Sequence, residues 1–156
     1  MSKIRQATVN DLPALVKWRT DVLREGFGLP PDRDMTELAG ANYDYYSRAL
    51  QSGAHVACFA EENGRVVGCG GICLQEELPS PDNPSGKCAY LMNIYVCPQY
   101  RHGGIGEEIV RWLTRKARDL KITKIYLEST DKAKALYSSI GYREMFDYML
   151  YDIDAE

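Results

Sequence analysis

Tyr100-Arg101-His102-Gly103-Gly104-Ile105-Gly106 sets three glycines in four positions, between a β-prone run and an amphipathic one. Glycine takes positive φ freely and lets backbone N–H groups approach a ligand with no Cβ in the way. Amides at a helix start carry partial positive charge, so a phosphate or pyrophosphate is their natural guest. Each such interaction is worth up to about 1–2 kcal/mol in a partly buried site. Arg101 adds a charge-assisted contact. A turn that merely needs glycine has the same local appearance. The G-G-x-G spacing after a fourth strand is not the G-x-G-x-x-G of a dinucleotide fold. No Lys-Ser or Lys-Thr closes it as in a nucleotide phosphate loop.

Outward from this stretch the periods alternate. Residues 87–98 read as a long strand stopped by Pro98, and 105–121 as a helix with Ile105, Ile109, Val110, Leu113, Ala117 and Leu120 on one stripe. Upstream, 55–62 and 65–74 form a hairpin around Asn63-Gly64, a strong short-range turn signal. Residues 75–86 hold three prolines and three acids and read as a loop. Residues 3–8 give a first strand, and Asn10 and Asp11 offer the cap of a helix carrying Leu12, Leu15, Val16, Val22 and Leu23 at helical spacing. That helix ends near Gly26. A second helix spans 35–51, with Leu38, Tyr45, Tyr46 and Ala49 inward. Downstream come a strand at 124–130, a short helix at 132–140 closed by Gly141, and one or two strands in YREMFDYMLYDI. The order β-α-α-β-β-β-α-β-α-β-β is that of an α/β sheet with helices on its faces.

The chain has 156 residues, 45% apolar and 26% charged, with net charge −3. That is the composition and size of one globular domain, 1–156, and a poor match for general nucleic-acid or anionic-membrane binding. No apolar run approaches the ~18 residues of a membrane span, and the N-terminus lacks a signal peptide. The five cysteines form no CxxC pair, so a reduced, cytoplasmic protein with thiols packed as small hydrophobes is expected. With only His55 and His102, a zinc shell is hard to complete, and no metal is expected.

Arg101-x-x-Gly104-x-Gly106 matches the R/Q-x-x-G-x-G/A loop of the GNAT superfamily of N-acetyltransferases, which holds the pyrophosphate of acyl-CoA. Tyr90–Val96 looks like that family's pantetheine-pairing strand. Ala135-Leu136-Tyr137-Ser138-Ser139-Ile140-Gly141-Tyr142 matches its A-L-Y-x-x-x-G-F/Y segment, about 30 residues on. The Asn-Gly hairpin and the opening IRQATVNDLPAL also fit, so the resemblance covers essentially the whole chain.

The resemblance implies a mixed, mostly antiparallel sheet whose strands 4 and 5 splay, flanked by helices on both faces. It implies acetyl-CoA as co-substrate, bound by Ile94, Tyr95 and Val96 and by the loop Arg101, His102, Gly103, Gly104, Ile105 and Gly106. Buried orphan donors and acceptors are costly, so a ligand amide that pairs with the open strand binds well. Tyr137 aligns with the family's tyrosine near the CoA sulfur, a general acid or hydrogen-bond donor. The family often has Asn seven residues before it, where this chain has Thr130, a hydroxyl of shorter reach. Lys134 is either a phosphate contact or a solvated lysine. Glu128 is the best-placed carboxylate for a base. Glu25, Glu76 and Glu77 fall in the family's acceptor segments, and Asn93 lies on the cofactor strand, where some relatives have an acid.

The expected activity is acetyl transfer to a primary amine, with a small molecule or amino acid favoured, by direct attack in a ternary complex. No cysteine or serine sits in an activated-nucleophile context. The competing readings are an acyl-CoA-binding sensor without turnover, a protein or peptide acetyltransferase, and a nucleotide-using transferase at the same loop. The tyrosine-rich C-terminus suits a homodimer.

Overall fold

A computed structural model describes residues 2–154 as a five-stranded sheet with helices on both faces. In chain order the elements are β1 (Lys3–Gln6), α1 (Leu12–Gly26), α2 (Thr36–Ser52), β2 (His55–Glu62), β3 (Arg65–Glu76), β4 (Lys87–Val96), α3 (Ile105–Asp119), β5 (Lys124–Leu127) and α4 (Lys134–Ile140). The sheet order is β1-β2-β3-β4-β5. The first four strands pair antiparallel, while β5 lies parallel to β4. A parallel neighbour needs a crossover, and α3 supplies it.

Each face buries its own core. On one, Ile105, Ile109, Val110, Leu113 and Ala117 of α3 pack on Cys58, Ala60, Val67, Ile72, Ala89 and Leu91. This close approach depends on Gly70: a Cβ there would stand 2.6 Å from Ile109 Cγ2. On the other, Leu12, Leu15 and Tyr46 pack on Ala57, Phe59 and Cys69. The β2–β3 hairpin turns at Asn63 and Gly64 with φ of 49° and 76°, the twin positive values of a type I′ turn.

Four expectations are corrected. α3 stops at Asp119 and Lys121 turns left-handed, which takes Leu120 off the buried stripe. Leu38, in the first turn of α2, is exposed. Of the two candidate caps, Asp11 holds the N-cap position of α1, but its side chain does not cap that helix: it accepts from Thr8 N while the Thr8 hydroxyl accepts from Asn10 N, a box that opens the 3-10 turn Val9–Asp11. Among residues 143–154 no strand forms. Alternating apolar residues state that a segment can be a strand, not where it finds a partner edge. Met145 and Phe146 instead line a 750 Å³ groove beside β5.

Beneath α2, His55 is 5% exposed. Its Nδ1 lies 3.0 Å from the Tyr45 hydroxyl, and the rings of Tyr45 and Tyr46 stand edge-on to it. Burial, aided by the Arg19 charge, lowers its pKa to about 4. The unfolded chain therefore binds this proton near pH 6.5 and the folded one only near 4. Stability should fall by roughly 3 kcal/mol as pH drops through that window. Urea unfolding between pH 7.5 and 4.5 measures it, and His55→Gln should remove that part of the slope.

Candidate functional site

The parallel ladder between β4 and β5 has four rungs, Cys88↔Lys124 to Leu91↔Leu127. Beyond Leu91, β4 runs on to Val96 with no strand partner on that side among the described residues, so the two strands part as expected. A bulge against β3 lies in the same stretch of β4. Cys69 pairs with Tyr95 and Gly71 with Met92, so β4 spends one extra residue there, and Asn93 takes φ 60°. The amide of Cys97 donates to Val67 O on β3. By alternation the backbone groups of Val96 and Ile94 face the gap. The Val96 carbonyl is already bonded by Arg101 Nε at 2.9 Å, which leaves its N–H.

The glycine turn closes the far end of the gap. His102 and Gly104 are left-handed, with φ of 66° and 86°. Glu108 N donates to Gly104 O, and no main-chain acceptor takes the amides of residues 102–107 among the described residues. These orphan donors open α3. A Cβ on Gly104 would meet nothing within 4 Å, so the turn faces open space. The Ile105 side chain is core, and its contribution to this turn is its backbone.

Arg101 is held away from that space. Its guanidinium pairs with Glu25 at 2.5 Å and lies over the Tyr95 ring, 5.3 Å from the centroid. Tyr95 also donates to Glu25. The Tyr95 bond first, then Arg101, holds the Glu25 carboxyl below the usual range. Glu25 is thus committed to this clasp between α1 and β4.

Tyr137, on α4, is half-buried, packs edge-on to Tyr142 and has no hydrogen-bond partner on its hydroxyl among the described residues. Burial, with Tyr142 beside it, raises its pKa. Glu128 follows β5, on the face of Tyr126 by alternation, and reaches Tyr90: burial and then the Glu128 charge push that phenol up to about 12. Thr130 precedes α4 with its carbonyl bonded by Ala133 N. Lys134 is paired with Glu144 at 2.8 Å and Asp131 at 3.2 Å, which ties up its charge.

Glu76 and Glu77 sit at the end of β3, beside the start of β4. Glu77 pairs with Lys124 at 2.7 Å. Lys124 lies opposite Cys88, about 16 Å of strand before Asn93, so these acids stand apart from the gap. Asn93 stands at the bulge, and Arg19 Nη1 donates to its Oδ1 at 3.1 Å. Arg19 and Tyr90 were not among the expected site residues. Arg19 had a signal: it falls on the apolar stripe of α1, between Leu15, Val16 and Val22, Leu23. All five thiols are pushed upward, each by burial first, and none is a ready nucleophile.

Comparison with known proteins agrees with this geometry. Residues 12–142 match the model of the acetyltransferase (GNAT) family. The uncharacterized N-acetyltransferase YjgM of Escherichia coli (strain K12) is 31% identical over 150 residues, which cover 94% of this chain and 84% of that one. An amino-acid acetyltransferase of Pseudomonas putida is 24% identical over 83% of this chain, which spans 25% of that longer protein. The crystal structure of a predicted acetyltransferase with acetyl-CoA from Clostridium acetobutylicum superposes with a TM-score of 0.86 at 24% identity, over 97% of this chain and 96% of that one. With the family model spanning most of its length over a sheet that parts at β4 and β5, this chain belongs to the acetyltransferase (GNAT) family.

Proposed function

We propose that the chain, as a single domain, moves an acetyl group from acetyl-CoA to a primary amine of a small molecule by direct attack in a ternary complex. The observation that carries this reading is the open edge of β4 at Ile94–Val96, leading from the unpartnered amides of the glycine turn. The bound thioester supplies an activated acyl carbon and a thiolate leaving group. The turn amides bind its paired phosphates, and the edge of β4 pairs with the amides of its arm. An amide beside the bulge polarises the acetyl carbonyl.

Tyr137 donates a hydrogen bond to the leaving sulfur. A phenol of pKa ~10 giving its proton outright to a thiolate of pKa ~8.5 already runs uphill by about 2 kcal/mol, and burial widens the gap. It therefore acts as a donor that keeps its proton. An alkylamine is about 1 in 2,500 neutral at pH 7, and Glu128 takes the proton it must lose. The raised thiols, Cys97 among them, favour direct attack over an acyl-cysteine.

Thiol release from acetyl-CoA across an amine panel tests the reading. Release should require both acetyl-CoA and an amine. Tyr137→Phe should lower kcat roughly 10- to 100-fold at unchanged KM for acetyl-CoA. Glu128→Gln should remove the acidic limb of the pH profile. Acetyl-CoA binding without release to any amine would leave a sensor, and tighter binding of ATP or NAD would overturn the cofactor assignment.

A further inference from the structure

We propose that Arg19 anchors a carboxylate on the acceptor, so that this site takes a small amine carrying a nearby carboxylate, as an α-amino acid does. The inference rests on the acetyl-transfer reading above and narrows it.

Arg19 occupies an inward position of α1, where the neighbouring stripe residues are leucine and valine. It is half-buried and donates to Asn93 on the bulge, one residue from the Ile94 edge of the gap. The ionisable groups that feel its charge from the sheet and from α2 are Tyr46, His55, Cys69 and Cys73. All four are uncharged at neutral pH: His55 titrates near 4, and burial pushes the phenol and both thiols upward. No carboxylate pairs with Arg19 among the described residues, whereas Arg5 holds Asp11 and Glu61, and Arg101 holds Glu25.

A half-buried guanidinium without a counter-charge has lost hydration and gained little in return. One of its five N–H groups is taken by Asn93, and the remaining fork suits the two oxygens of a carboxylate. The opposite charge stands across the same face, where Glu128 follows β5 beside Tyr90 and Tyr126. A zwitterion laid between them puts its ammonium toward Glu128 and its carboxylate toward Arg19. The bulge between the two keeps the amine close to the acyl carbon.

The test uses matched sets built on alanine, leucine, phenylalanine, glutamate and lysine: the amino acid, its carboxamide, and the decarboxylated amine. With the intact enzyme, kcat/KM for the preferred acid should exceed its carboxamide about 10- to 100-fold. Arg19→Gln should collapse that ratio toward one, and Arg19→Lys should keep part of it. A merely structural arginine would slow every acceptor alike and leave the ratio standing, which overturns the proposal, as does an intact enzyme indifferent to the carboxylate. In that last case acetyl transfer itself stands and only the anchor falls. Should acetyl-CoA bind with no amine acetylated, the transfer reading falls. Calorimetry of the same amino acids on the CoA complex then decides Arg19: carboxylate-dependent binding lost in Arg19→Gln keeps the anchor, and its absence ends it.

Discussion

Gly104→Val removes tight acetyl-CoA binding and leaves a folded protein. Gly104 stands at φ 86°, ψ −6°, where an L side chain costs about 1–2 kcal/mol. A Cβ there meets nothing within 4 Å, so the fold accepts it, and the branched side chain would stand among the amides of residues 102–107 that lack a main-chain acceptor and crowd a pyrophosphate bound to them. Losing even two charge-assisted amide contacts raises the dissociation constant at least about 100-fold. Calorimetry with acetyl-CoA measures this, and urea unfolding should show a loss of only about 1–2 kcal/mol. Gly106→Ala is the internal control. A Cβ there would lie 3.7 Å from Leu136 and 3.8 Å from Val96, ordinary contact distances, so affinity should stay within about threefold. Unchanged affinity in Gly104→Val would mean that the phosphates lie elsewhere.

The largest stability effect is expected at the contact between α3 and the sheet. Ile109 is fully buried, and Ile109→Ala should cost about 3–4 kcal/mol by urea unfolding. From the other side, Gly70→Ala should cost about 1–3 kcal/mol, because its Cβ would stand 2.6 Å from Ile109 Cγ2 and 2.9 Å from Ile94 Cδ1 and Leu113 Cδ1. The double variant should lose less than the sum, since Ile109→Ala deletes the nearest atom that the new methyl strikes. Strict additivity would show that the helix shifts as a body instead of pressing on Gly70. The cofactor edge shares this contact through Ile94, so Gly70→Ala also disturbs the gap.

The parts of this molecule that were legible in the sequence are those written in local pattern. Asn63-Gly64 announced its hairpin, the stripe from Ile105 to Ala117 its helix, and the 103–106 glycines their turn at the start of α3. Resemblance to a known family then supplied the splay of β4 and β5, which no single segment encodes. What stayed hidden depends on partners distant in the chain. Glu25 and Arg101 are 76 residues apart, and only the folded sheet shows that each neutralises the other. The bulge at Asn93 is a mismatch of register between two strands, invisible in either alone. Glu77 looked available until Lys124 claimed it. Arg19 was overlooked for the opposite reason: a charge on an apolar stripe shows in the sequence, but its lack of a counter-charge shows only in three dimensions.

The four-rung ladder between β4 and β5 has a geometric consequence. It shuts the parting of the strands at Leu91 and Leu127, so anything threaded in from the glycine turn meets a fixed stop. With acetyl-CoA threaded in as proposed, the crevice would act as a gauge of length. On that reading, a donor whose tether is too long would buckle against the closed rungs, whatever chemistry its tip carries.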